Sequence, residues 1–143
     1  MRYKLKELEE SDINESLFET LGNLRSCGEL TVDKARLLLK GIKVNPLHKI
    51  YVALDGKDIV GIATIIIEQK FIRNGGKVGH IEDVATNKDY ERKGIASAII
   101  QKLISIAKEQ GCYKVILDCS EENKPFYKKN GFKECEYEMR LDL

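Results

Sequence analysis

Residues Tyr90 to Ile100 read YERKGIASAII. Arg92 and Lys93 stand directly before Gly94, and an apolar helical run follows. A helix start presents backbone N–H groups without helical partners, and its dipole favours negative charge. Gly94 lets the backbone approach a ligand closely, while Ala96, Ser97 and Ala98 leave room beside it. Such a start can cradle a phosphate, with Arg92 and Lys93 adding full charges. It can equally be a solvated basic turn. Two glycine-rich phosphate signatures, G-x-x-x-x-G-K-[ST] and G-x-G-x-x-G, are both absent.

Other residues have types suited to chemistry. Glu82 and Asp83 are adjacent in HIEDV. Strand neighbours face opposite sides, so the two acids would do different jobs. Asp118, in VILDC, falls at the end of a strand that follows a helix, where sites of α/β sheets collect. Tyr127 carries a phenol, pKa about 10, able to donate a proton. On pattern alone it reads as a core aromatic beside Phe126 and Phe132. Lys70, Arg73, Lys77 and Lys114 could meet an anionic group or simply solvent. The cysteines are Cys27, Cys112, Cys119 and Cys135, with no C-x-x-C, and there are two histidines, so no metal site is expected. Free thiols in a reducing, cytoplasmic setting are the simple expectation. Cys112 and Cys119, at the two ends of one strand, read as packing residues.

The elements that must position these residues follow from periodicity. The length, 143 residues, predicts a single domain over 1–143. Net charge is +1, from 24 basic and 23 acidic residues, which argues against a nucleic-acid partner. No apolar run approaches the ~20 residues of a membrane span, so no membrane partner is expected. The start, MRYKLKELEE, does not read as a signal peptide. Tyr3 and Leu5 suggest a first strand. Asp12 and Glu15 form a capping-box pattern before a helix through Leu24, which Gly28 can stop. Thr31 can cap a second helix, barred from continuing by Pro46. KIYVAL and DIVGIATIII read as strands around an Asp55-Gly56 turn, the second apolar enough to be central. RNGGK is a loop and GHIEDVAT a further strand. A long amphipathic helix runs from Gly94 to Gln110, and CYKVILDCS after it implies a right-handed parallel crossover. Asn123 can cap a short helix ending at Gly131, and FKECEYEMRL closes as a strand. The order β-α-α-β-β-β-α-β-α-β describes an α/β, mixed-sheet fold.

YERKGIASAI after GHIEDVAT resembles the acyl-CoA pyrophosphate loop, R/Q-x-x-G-x-G/A, of the GNAT N-acetyltransferase superfamily. Gly94 and Ala96 fit the last two fixed positions, and Glu91 departs at the first. GHIEDV, GCYKVILDC, N-x-x-FY-x-K-x-GF, IIIEQKFI and the terminal EM resemble, more specifically, its glucosamine-6-phosphate N-acetyltransferases. This resemblance runs from about the first helix to the C-terminus. It implies the GNAT fold and acetyl-CoA as co-substrate without a metal. It implies direct acetyl transfer to the 2-amine of glucosamine 6-phosphate, on the route to UDP-N-acetylglucosamine.

The resemblance also implies residue roles. Tyr127 would donate to the CoA sulfur, and Glu82, through water, would take the amine proton. Asp83 would line the sugar pocket and Asp118 would locate the amine. Val84, Ala85 and Thr86 would pair with pantetheine amides, and Val84 would also border the sugar. Arg92, Lys93, Gly94, Ile95, Ala96 and Ser97 would hold the pyrophosphate. Asn123, Lys128 and Lys129 would lie near the cofactor. Lys70, Phe71, Ile72, Arg73, Tyr113 and Lys114 would serve the sugar phosphate. Arg25 stands where the family has threonine, and Asp142 where it has a phosphate-binding arginine. Arg25 and Arg140 are therefore expected to supply the missing contacts. A homodimer that exchanges its last strand is a further implication. Another amine acceptor, or a CoA sensor without turnover, would keep the same fold.

Overall fold

The computed structural model describes residues 2–143. Strand β1 is Lys4–Glu7, β2 His48–Asp55, β3 Asp58–Gln69, β4 Lys77–Thr86 and β5 Cys112–Ile116. They form one sheet in that order, antiparallel through β4, with β5 parallel to β4. The near-continuous apolar run of β3 is accounted for by its central place, covered on both faces.

Helix α4, Ile95–Glu109, makes the crossover from β4 to β5. Its apolar residues at helical spacing bury Ile95, Ile99, Leu103 and Ile106 against Ile65 and Ile81 of the sheet. Each such side chain contributes about 1.5–3 kcal/mol by burial. The closest approach is at Gly61, where a Cβ would stand 2.5 Å from Ile95 Cγ2. Only a residue without a side chain lets α4 lie this near β3.

The opposite face is covered by α1, Glu15–Gly22, and α2, Val32–Lys43. Leu17, Ala35 and Leu39 pack there with Val52, Ile59, Ile62 and Ala85. Two buried hydroxyls one helical turn apart anchor α1. The Ile59 N–H donates to Ser16 Oγ at 2.8 Å, and Thr20 Oγ1 donates to the Ile59 carbonyl at 2.6 Å. Both backbone groups of Ile59 are thus satisfied by side chains.

Several expectations change: β5 ends at Ile116, so Cys119, expected to pack at the strand's end, lies exposed beyond it. The cap of α1 is Asn14, whose side chain accepts from the Ser16 N–H at 2.8 Å. Asp12 instead closes a 3-10 turn, Glu10–Asp12, and pairs with Lys6 at 2.9 Å. That partner on β1 draws it away from the helix. Helix α1 also stops at Gly22, well before Gly28, because the residues beyond lack an apolar face to bury and Leu24 is half exposed. Finally, FKECEYEMRL forms no strand with its own chain. Tyr137, Met139 and Leu141 alternate but lie 83–95% exposed. Alternation signals a half-buried strand without saying which sheet receives it. Glu134, bridged to Lys124 at 2.6 Å and Lys128 at 2.8 Å, ties down the root of this segment.

Candidate functional site

Strands β4 and β5 pair only from Lys77 to His80. Past that point β4 continues to Thr86, paired with β3 alone. The edge of β4 from Ile81 onward therefore faces a gap rather than a strand. Backbone donors and acceptors along such an edge can take an added extended chain.

A bulge sits in the same stretch. Thr64 pairs with Glu82 and Ile62 with Ala85, so β4 spends one extra residue, and Asp83 takes φ +52. This breaks the simple alternation expected of Glu82 and Asp83. Ile81 and Val84 pack on the α4 side, while Ala85 packs on the α1 side. Bulges re-aim side chains in this way.

The gap widens into a cleft of about 890 Å³. Its walls include Val84, Ala85, Thr86, Arg92, Gly94, Ile95, Ala96 and Ser97. Asn123, Tyr127 and Lys129 face them from the other side. At its base Gly94 takes φ +80 and Arg92 φ +59. The first α4 hydrogen bond runs from the Ala98 N–H to the Gly94 carbonyl at 3.0 Å. The N–H groups of Ile95, Ala96 and Ser97 thus lie outside the helical ladder, as an anion cradle requires.

Helix α5, Lys124–Lys129, carries Tyr127 to the far wall. Asn130 holds it against α4, donating to Ser97 Oγ at 3.1 Å and accepting from Gln101 at 3.2 Å. Phe126 and Phe132 clamp the Tyr127 ring edge-on, with centroids 4.9 and 5.9 Å away. Burial, then the charges of Cys119 and Asp118, push the Tyr127 phenol up to about 12. It stays protonated throughout the physiological range.

Glu82 and Asp83 lie on β4 just past its last pair with β5, and Asp118 follows the end of β5. None of the three lines the cleft wall, but Asp118 and Asp83 are near enough for their charges to act on Glu82. Burial raises the Glu82 carboxyl above the ordinary value first, and the charges of Asp118 and Asp83 raise it further. A carboxylate held up in this way is a better base than a solvated one.

The remaining candidates lie elsewhere. Lys93 donates to the Asp89 carbonyl at 2.9 Å and covers the Tyr90 ring, and Lys128 is engaged by Glu134. Lys70 pairs with Glu68, and Arg73 stacks on Tyr113 at 4.9 Å, with Lys114 beside the same ring. Phe71 and Ile72 stand exposed in the same turn, where the single-turn helix α3, Ile72–Gly75, has left-handed Arg73 and Asn74. This group lies at the start of β4, roughly 30 Å along the strand from Thr86. Arg25 is exposed beyond α1, and Arg140 pairs with Asp142 at 2.6 Å in the tail.

Sequence reasoning missed Asn23, Leu24, Tyr90, Glu122 and Phe126 on the cleft wall, and met Glu91 there only as a departure from the loop signature. Among the missed residues Tyr90 had a signal, by adjacency to the basic turn. No group of three or more metal-ligating side chains occurs among the described residues. A second hollow, about 130 Å³ beneath α2, is walled by apolar side chains such as Leu17, Leu39 and Ile62, and offers no chemistry.

Comparison with known proteins agrees with this architecture. The profile of the Acetyltransferase (GNAT) family matches residues 13–132. A relative from Trypanosoma brucei brucei, named glucosamine 6-phosphate N-acetyltransferase, is 42% identical over 98% of this chain and 95% of its own. One of the same name from Arabidopsis thaliana is 39% identical over 90% of this chain and 89% of its own. The crystal structure of glucosamine-6-phosphate N-acetyltransferase from Arabidopsis thaliana superposes with a TM-score of 0.94 at 35% identity, covering 99% of both chains. With its family profile spanning most of the sequence, and the splayed β4–β5 edge leading to an uncapped helix start, the chain belongs to the acetyltransferase (GNAT) family.

Proposed function

We propose that this protein transfers acetyl from acetyl-CoA to the 2-amine of glucosamine 6-phosphate, directly and without a covalent enzyme intermediate. The observation that carries the reading is the open β4 edge that leads from Glu82 to the Gly94 turn, with Tyr127 opposite. The relatives' shared name supplies the acceptor.

The backbone of Val84 to Thr86 would align the pantetheine arm as an added strand. The N–H groups at Ile95 to Ser97, with Arg92, would hold the diphosphate. An N–H at Val84 or Ala85 would stabilise negative charge developing on the thioester carbonyl. Glu82 would take the ammonium proton through water, and Asp118 would orient the amine. Tyr127 would donate a hydrogen bond to the departing sulfur. Complete proton transfer from it to a thiolate of pKa ~8.5 is uphill by roughly three and a half pKa units, so its role is stabilisation rather than full protonation.

The reading includes a homodimer that exchanges the C-terminal segment. The exposed Tyr137, Met139 and Leu141 row and the outer edge of β5 each lack a strand partner among the described residues. The Lys70–Arg73–Lys114 group lies far from its own cleft, so a second copy would bring it to the sugar phosphate. No helix among the described residues is long and apolar enough to cross a membrane. The four free cysteines fit a cytoplasmic enzyme on the route to UDP-N-acetylglucosamine.

The test is CoA-thiol release from acetyl-CoA with glucosamine 6-phosphate, glucosamine, glucosamine 1-phosphate and a polyamine. Turnover confined to the 6-phosphate supports the reading. CoA binding without turnover on the 6-phosphate rejects the acceptor.

A further inference from the structure

We infer that Asn23 is a positioning residue for acetyl-CoA: its amide fixes the Glu91 carboxylate beside the Thr86 carbonyl, so that it does not turn onto the diphosphate, while pinning the end of β4. The inference rests on the reading of the cleft as the acetyl-CoA site.

Asn23 is the residue that follows the last turn of α1. Its Nδ2 donates to the Thr86 carbonyl at 2.7 Å and to Glu91 Oε1 at 2.9 Å. One amide nitrogen carries two protons, so both bonds form at once. Both partners are pure acceptors, which settles which end of the amide is the nitrogen. All three residues line the cleft.

The two acceptors matter for different reasons. Thr86 ends the open edge of β4, and Glu91 opens the turn that reaches Arg92 and Gly94. Asn23 therefore couples the strand edge to the phosphate turn. It does so from a helix that Ser16 and Thr20 lock to β3. On the other side of the turn, Tyr90 donates to Asp55 Oδ2 at 2.8 Å. Adjacent residues of the turn are thus held by two separate parts of the fold.

Glu91 is an acid beside a cradle built for anions. A hydrogen bond from a neutral amide fixes where its charge sits. Without Asn23 the carboxylate is free to swing toward the diphosphate, and like charges repel. The Thr86 carbonyl would take water instead.

The test is a double-mutant cycle with Asn23→Ala and Glu91→Gln, read by calorimetric CoA binding and by acetyl-CoA kinetics at low and high salt. In the wild-type background, Asn23→Ala is expected to weaken CoA binding about tenfold, the scale of losing a hydrogen bond to a charged group. KM for acetyl-CoA should rise in parallel while kcat moves little. In the Glu91→Gln background the same substitution should cost several-fold less than in wild type, because the charge it restrained is gone and only the bond to Thr86 is lost. High salt should narrow the Asn23→Ala defect by screening the repulsion. An equal cost in both backgrounds, insensitive to salt, would overturn the inference and leave Asn23 as packing. No cost in either background overturns it as well. Failure of the wild-type chain to bind CoA would instead remove the cleft assignment, and the role of Asn23 with it.

Discussion

Gly61→Ala tests how packing sets the cleft. The new Cβ would lie 2.5 Å from Ile95 Cγ2 and 2.9 Å from Ile99 Cδ1. Carbon atoms rest at about 3.5–4.0 Å, so α4 or its side chains must retreat by roughly 1 Å. Overpacking of this kind costs about 1–3 kcal/mol. Replacing glycine returns about 0.5–1 kcal/mol through a less flexible unfolded chain. The net loss is about 0–2.5 kcal/mol, centred near 1, a fall in Tm of up to about 10 °C for a chain of this size. Ile95 is also the first residue of α4 and lines the cleft, so its retreat moves the phosphate cradle. Acetyl-CoA KM should therefore rise several-fold, because displacements near 1 Å are costly in a preorganised site. Gly41→Ala in α2 is the control. Nothing lies within 4 Å of its would-be Cβ, so stability should rise by about 0.5–1 kcal/mol with KM unchanged. Urea melts and steady-state kinetics on the three proteins decide the matter. Gly61→Ala with wild-type stability and wild-type KM would refute the reasoning.

Three further outcomes are expected. Tyr127→Phe should lower kcat by about 10²-fold at near-constant acetyl-CoA KM, and no basic limb below pH ~11 should trace to the phenol, which sits near 12; a large KM change with kcat intact would make the ring a binding surface only. Glu82 is raised, so its favourable protonated form stabilises the fold fully below the ordinary carboxyl value, and that contribution is lost as pH rises through the raised value; Glu82→Gln should thus raise Tm at pH 7, with the gain vanishing near pH 4, while abolishing most activity, and a lowered Tm at pH 7 would contradict the sign. Arg92→Gly removes a side chain from φ +59 and should relieve on the order of 1 kcal/mol of strain while weakening acetyl-CoA binding through lost charge; thermal melts and CoA titration should move in opposite directions, and tighter CoA binding would show that Arg92 does not serve the anion.

The amino-acid sequence alone determined what depends on neighbours along the chain. The α4 stripe of Ile95, Ile99, Leu103 and Ile106 has a helical period that only one face can satisfy. Thr31 caps α2 because its hydroxyl reaches the Lys34 N–H three residues on. Gly94 before that stripe, with Arg92 two residues earlier, offered an anion cradle and a solvated basic turn equally, and the family resemblance chose between them. The tertiary structure decided whatever depends on residues distant in sequence. Asn14 caps α1 because Lys6 claims Asp12. The bulge at Asp83 arises from the register between β3 and β4, and period-two alternation carries no trace of it. Lys93 and Lys128 read as free cations until the Tyr90 ring and Glu134 are seen to occupy them. Asn23 meets Glu91 across 68 positions of sequence, a contact that exists only once α1 is seated on β3. Local periodicity specifies elements and their buried faces; which side chains meet across a cleft is settled by how those faces pack together.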